Sequence, residues 1–191
     1  MSTSYYDNNS AAFFAGSVAA DMSADRARFL AHVKPGGTIL DAGCGSGRDA
    51  LAFMRAGYAV SAFDGSAEMA KLAAAHTGIA VQHLRFNQIE WKNTFDGIWA
   101  CASLLHVARA DLPDAVSRLA RALNPAGVLY VSFKYGSEER DTKYRRFTDM
   151  NETLLTNEIS RAGLMLLDIW ASQDVRTERA TEAWISAIAR R

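Results

Sequence analysis

Short apolar runs alternate along the chain with segments whose apolar residues recur every three or four positions. The first run, Thr38-Ile39-Leu40-Asp41, is β-prone and passes directly into glycines, which predicts a buried strand ending in a loop. Residues 48–56 then read as a helix, with Asp49 near its positive N-terminus and Gly57 placed to end it. A second strand is expected over 58–63. Ser66 can cap a helix with Met69, Leu72, Ala73 and His76 on one face, and 79–84 reads as a third strand. The segment 95–102 is apolar apart from Asp96, as expected for a strand covered on both faces. A helix opening at Asp111 and Asp114 carries the stripe Leu112, Val116, Leu119 and Leu123. Asn124-Pro125-Ala126-Gly127 stops it before a strand over 128–133. Another helix runs from Asn151 to Gly163, with Leu155, Ile159 and Ala162 on one side. The last two runs, 164–171 and 183–189, have no helix-length insert between them, which predicts an antiparallel pair.

Strands alternating with helices give an α/β fold: a mostly parallel sheet of seven strands, helices on both faces and an antiparallel C-terminal strand. The 191 residues make one domain the economical division. Within it, 1–34 reads as an N-terminal helical lid, 35–133 as the core, and 134–191 as a long loop, a helix and the final strand pair. In such sheets a ligand lies beyond the carboxyl ends of the strands, near the point where strand order reverses. The loops that matter therefore follow Leu40, Phe63, Leu84, Ala100 and Phe133.

Composition removes several alternatives. At 49% hydrophobic and 22% charged residues the chain should fold. Its 21 basic and 21 acidic side chains cancel, so no general field attracts nucleic acid or anionic lipid. Cys44 and Cys101 are too few for a disulfide framework, which fits a reducing compartment. Residues 11–20 resemble a signal-peptide core but lack the preceding positive charge, and no apolar run is long enough to span a membrane. The expectation is a cytoplasmic monomer or homodimer. His32, His76, His83 and His106 show no metal-ligand spacing, so no metal is expected.

Asp41-Ala42-Gly43-Cys44-Gly45-Ser46-Gly47 closes the first strand and opens the first core helix. Glycine lets the backbone turn tightly and approach a ligand, while the helix N-terminus offers free N–H groups to negative charge. Asp64, at the end of the second strand, is placed to accept both hydroxyls of a ribose. A dinucleotide-dependent oxidoreductase is one reading of this pair, although the third glycine of the G-x-G-x-x-G pattern would fall on the bulky Arg48. A non-catalytic nucleoside-binding module is another.

The run Ile39-Leu40-Asp41-Ala42-Gly43-Cys44-Gly45-Ser46-Gly47 resembles the first motif of class I S-adenosylmethionine-dependent methyltransferases. The likeness continues at Asp64, at Phe95-Asp96-Gly97-Ile98-Trp99-Ala100, at Leu104-Leu105-His106-Val107 and at Leu123-Asn124-Pro125-Ala126-Gly127-Val128-Leu129. The pattern is similar to small bacterial tellurite-resistance-type methyltransferases. The resemblance implies a Rossmann-like, doubly wound fold and S-adenosylmethionine as cofactor. It places Gly43, Cys44 and Gly45 at the methionine part, Asp41 at its ammonium and Asp64 on the ribose. Asn87 would meet the adenine in a loop where the family often has Asp, with Gln88 beside it. Tyr6, Ala42, Gly47, Arg48, Gly65, Ser66, Met69, Cys101, Ala102 and Ser103 complete the expected cofactor shell. Ala126 stands where the family usually has glycine.

His106 follows the fourth strand and is the candidate catalytic side chain; it could equally pack or donate a structural hydrogen bond. The connection 134–150 is long enough to be functional. It carries Lys134, Arg145 and Arg146, and Arg176 lies in the later connection. These four are expected to bind a small, anionic methyl acceptor, arginine's planar fork suiting such groups. Glu138, Glu139 and Asp141 are interleaved, so a solvated mixed-charge surface is the competing reading. Neither cysteine has a nearby base in sequence, which argues against a cysteine nucleophile.

Overall fold

The computed structural model describes residues 2–191. In chain order the strands are β1 (Thr38–Ala42), β2 (Ala59–Asp64), β3 (Val81–His83), β4 (Phe95–Ala100), β5 (Leu123–Lys134), β6 (Glu139–Asp141), β7 (Arg146–Thr148), β8 (Met165–Gln173) and β9 (Ala183–Arg190). The helices are α1 (Ser2–Asn8), α2 (Ser10–Ser17), α3 (Ser23–Leu30), α4 (Arg48–Arg55), α5 (Ala67–Thr77), α6 (Leu112–Ala122) and α7 (Glu152–Arg161). Seven strands form one sheet in the order β3-β2-β1-β4-β5-β9-β8. Only β9 runs against the rest, pairing antiparallel with both β5 and β8. Strand order reverses beside β1, which pairs in parallel with β2 on one side and β4 on the other. The expected fold class is therefore the observed one.

Successive strand side chains point to opposite faces, and that alternation builds two cores. Ile39, Trp99, Tyr130 and Ile188 face Phe29 of α3 and Phe53 of α4. Leu40, Ile98, Leu129 and Ala187 face the apolar stripes of α6 and α7. On the first face the Trp99 and Tyr130 rings stack at 3.8 Å, and Phe29 lies 5.3 Å from Trp99. The Trp99 indole N–H donates to Asp49 at 2.9 Å, so the one polar atom of that buried ring is satisfied.

The boundaries differ from expectation at three places. Leu123 does not extend the α6 stripe; it starts β5 opposite Phe95, and the chain bulges before Val128 pairs with Gly97. Ala126 in that bulge has a left-handed φ of 64°, which accounts for the family's usual glycine there. The strand predicted over 95–102 stops at Ala100, because Ala102 turns out of the sheet with a φ of 50°. The connection 134–150 is not a plain loop; it contains the antiparallel hairpin β6–β7. Among the described residues no helix is long and apolar enough to cross a membrane.

Candidate functional site

The loop after β1 turns on three glycines with positive φ, Gly43 at 77°, Gly45 at 55° and Gly47 at 74°. At Gly43 a Cβ would lie 2.5 Å from that of Ser103, and at Gly47 it would lie 2.7 Å from Thr77 of α5. The first glycine thus lets the loop meet the β4 end, and the third lets α4 pack on α5. The N–H groups of Gly43 and Cys44 both donate to the Phe63 carbonyl at 2.9 Å, which ties the loop to the end of β2. Asp64 is fixed from two sides: Gly45 N–H donates to Oδ2 at 2.9 Å and Ser66 N–H to Oδ1 at 2.8 Å. An ionised carboxylate has about four acceptor sites, so each oxygen keeps one free. Burial raises the Asp64 pKa above its ordinary value, with these amide donors working in the opposite direction.

Asp64 opens into a cavity of about 860 Å³ that also meets Gly43, Gly45, Met69, Asn87 and Ser103. That volume is within the range of roughly 300–1,000 Å³ usual for small-ligand sites. A smaller cavity of about 160 Å³ adjoins it, reaching Asp41, Arg48, Tyr130, Lys134, Arg145 and Trp184. Tyr6, Phe13, Gly43, Gly45, Ala102 and His106 border both. The helices α1 and α2 lie across this junction. Asp7 accepts from the Ser66 hydroxyl at 2.5 Å, and Ser66 in turn caps α5 by accepting from Met69 N–H.

His106 joins three elements. A carbonyl can only accept, so its Nδ1 must donate to the Arg146 carbonyl at 2.8 Å. Burial depresses the imidazole to about 4, and the cations Arg145 and Lys134 push the same way. The ring is therefore neutral, and its Nε2 accepts from the Tyr6 hydroxyl at 2.7 Å. Burial also raises the Tyr6 phenol, against the pull of Arg145.

The cations near the smaller cavity have partners. Arg48 holds Asp49 at 2.5 Å, and Arg26 reaches the other Asp49 oxygen at 2.6 Å. Arg176 binds Asp174 through two nitrogens, at 2.9 and 2.7 Å. Lys134 pairs with Glu182, and Arg179 lies 4.0 Å from the same side chain. Arg145 instead lies over the rings of Tyr5 and Phe147, at 4.6 and 5.0 Å.

A family model described as a methyltransferase domain matches residues 39–127, which span the glycine loop, Asp64 and the β4 end. Solved structures share the chain's fold. A Burkholderia thailandensis 1,6-didemethyltoxoflavin N1-methyltransferase, solved with 1,6-didemethyltoxoflavin and S-adenosylhomocysteine bound, is 23% identical with a TM-score of 0.78. The match covers 98% of this chain and 84% of that one. A SAM-dependent methyltransferase from Methanosarcina mazei is 16% identical, covering 85% of this chain and 95% of that one, with a TM-score of 0.74. The [4+2]-cyclase SpnF reaches the same TM-score of 0.74 at 18% identity, covering 99% and 94%. A comparison with curated proteins found no match.

Most of the expected cofactor residues converge on one cavity. Gly43, Gly45, Asp64, Gly65, Ser66, Met69, Asn87, Ala102 and Ser103 all line the larger cavity, and Tyr6 joins them from α1. Gln88 does not. Its side chain turns back to accept from Arg85 N–H at 2.9 Å, and Phe86 takes its place at the wall. Asp41 is partly committed, one oxygen accepting from Ala50 N–H at the start of α4. Ala42 is buried in the sheet, and Gly47 serves helix packing. Arg48, Cys44 and Cys101 lie on the side of the smaller cavity. Burial raises both thiols, Cys101 to about 12, so neither offers a thiolate. Of the four expected acceptor cations, Arg146 faces the larger cavity and is held by Asp141, while Lys134, Arg145 and Arg176 reach the smaller one. Among the described residues no group of three His, Cys, Asp or Glu could hold a metal. Trp184 and Asp25 at the cavity walls carry no local signal in the sequence, since each reads as an ordinary strand or helix residue.

Proposed function

We propose that the chain transfers a methyl group from S-adenosylmethionine to a small molecule, with the cofactor in the larger cavity and the acceptor in the smaller one. Asp64 carries this reading. It presents two free acceptor sites at the topological switch point, fixed by two backbone amides and opening into a cavity of nucleoside size. A ribose diol is the ligand group that such a pair of oxygens matches. Asn87 is placed to meet a base edge, Met69 gives the base an apolar surface, and the glycine loop admits the amino-acid end. When bound, the cofactor supplies a sulfonium methyl; the acceptor's lone pair forms the new bond as the carbon–sulfur bond breaks and sulfur keeps the electron pair.

The residues at the junction need only align the two reactants, because effective concentration supplies much of the acceleration in such a displacement. His106 serves as a neutral acceptor that positions Tyr6, with no carboxylate behind it to strengthen it as a base. The size of the smaller cavity, about 160 Å³, supports a small acceptor. None of the three relatives above is named for metalloid chemistry, and the acceptor is sought in the cavity instead.

Calorimetry on the full chain with S-adenosylmethionine and S-adenosylhomocysteine, with NADH and NADPH as controls, tests the reading. Binding of the first two but neither dinucleotide is expected, and Asp64→Ala should weaken it by at least about tenfold, the loss of two charge-assisted hydrogen bonds. Intact binding in Asp64→Ala would refute it. Because a cyclase shares this fold, methyl transfer needs its own check: release of S-adenosylhomocysteine across a panel of small acceptors.

A further inference from the structure

Five cationic side chains border the smaller cavity: Arg48, Lys134, Arg145, Arg176 and Arg179. Four of them have a carboxylate partner in Asp49, Glu182 or Asp174. Of these five, Arg145 is the one whose charge meets no carboxylate among the described residues. Two aromatic faces hold its guanidinium instead, Tyr5 from the lid and Phe147 from β7. Stacking leaves the edge of a guanidinium, with its five N–H donors, open to other partners; at Arg145 the Tyr6 hydroxyl takes part of that edge and the remaining donors are available to a ligand. Arg145 also lies close enough to the junction to influence both Tyr6 and His106. A cation held by two rings, unpaired by charge and beside the place where the two cavities meet, is suited to an oxyanion.

We propose that Arg145 recognises an oxyanion on the methyl acceptor, so that the acceptor is a small, flat molecule bearing a carboxylate or similar group near the atom that takes the methyl. This rests on the methyltransferase reading above and narrows the expected anion site from four cations to one. The flatness follows from the walls, where Tyr6, Phe13, Phe147 and Trp184 present rings. Lys134 and Arg176 then act as structural cations that hold Glu182 and Asp174 in place.

The test uses the full chain saturated with S-adenosylhomocysteine, and benzoate and benzamide as matched probes differing in charge. Benzoate should bind about tenfold tighter than benzamide, the worth of one charge-assisted hydrogen-bonded pair. Arg145→Met should erase that preference and Arg145→Lys should keep part of it, charge without the fork. S-adenosylhomocysteine affinity should stay within about twofold in both variants, since a purely structural latch between lid and hairpin would lower it. Equal binding of benzoate and benzamide to the wild type, an undiminished preference in Arg145→Met, or loss of preference only alongside cofactor affinity would each overturn the proposal. Failure of the wild type to bind S-adenosylhomocysteine would instead remove the reading on which it rests.

Discussion

Asp64 and Gly43 show how closely single positions are constrained. Adding a methyl at Gly43 brings two separate penalties, a Cβ 2.5 Å from Ser103 and a φ of 77° that L-residues avoid. Gly43→Ala is expected to cost about 2–4 kcal/mol and to abolish cofactor affinity, read by thermal denaturation and calorimetry together. The reverse change is available at Ala126, exposed and far from the site, where the same left-handed conformation is forced on an alanine. Ala126→Gly should stabilise the fold by about 0.5–1 kcal/mol, with cofactor affinity unchanged. A lower melting temperature would mean that the bulge relaxes in some other way. Both positions were readable in the sequence as glycine-pattern positions. The reason for Gly47 was not, because its neighbour Thr77 lies thirty residues away on another helix.

Among the elements, the lid and the hairpin meet through His106. The lid-down imidazole titrates at about 4, below the ordinary value near 6.5, because burial penalises the cation. A depressed histidine favours the closed form when neutral. That contribution is complete above about pH 6.5 and is lost as pH falls from there toward 4. Affinity for S-adenosylhomocysteine should therefore drop about tenfold between pH 7 and pH 5, and His106→Gln should flatten the profile. An unchanged profile in that variant would place the titration at Asp64, whose carboxyl burial also raises. Elements built on local patterning, such as β1, α4, α5 and α7, were legible to within a few residues. The β6–β7 hairpin was not, since Glu139-Arg140-Asp141 has no apolar alternation at all. It is held by distant partners: Arg140 forks onto Asp149 at 2.7 Å, and Arg109 donates to the carbonyls of Ser137, Glu138 and Asp149.

For the whole molecule, ligand and fold are linked, because the larger cavity, where the cofactor is proposed to bind, is walled by the ends of β1, β2 and β4 together with α1. Saturating S-adenosylhomocysteine at a hundred times its dissociation constant should add about 2.7 kcal/mol to stability and raise the melting temperature by roughly 5–10 °C. No shift at saturation would show that binding does not engage the folded sheet. Topology was legible at this scale because the alternation of strands and helices leaves few arrangements, and the switch point then selects the loops. The lid was legible as a helical segment, but its contacts with Ser66 and His106 were not, since they span 59 and 100 residues. One consequence concerns the order of events. Tyr6 walls both cavities, so any movement of α1 that frees the larger one also unroofs the smaller. Turnover should then be sequential, the acceptor seated before the nucleoside gives up its methyl. Its demethylated product would inhibit competitively against S-adenosylmethionine and noncompetitively against the acceptor.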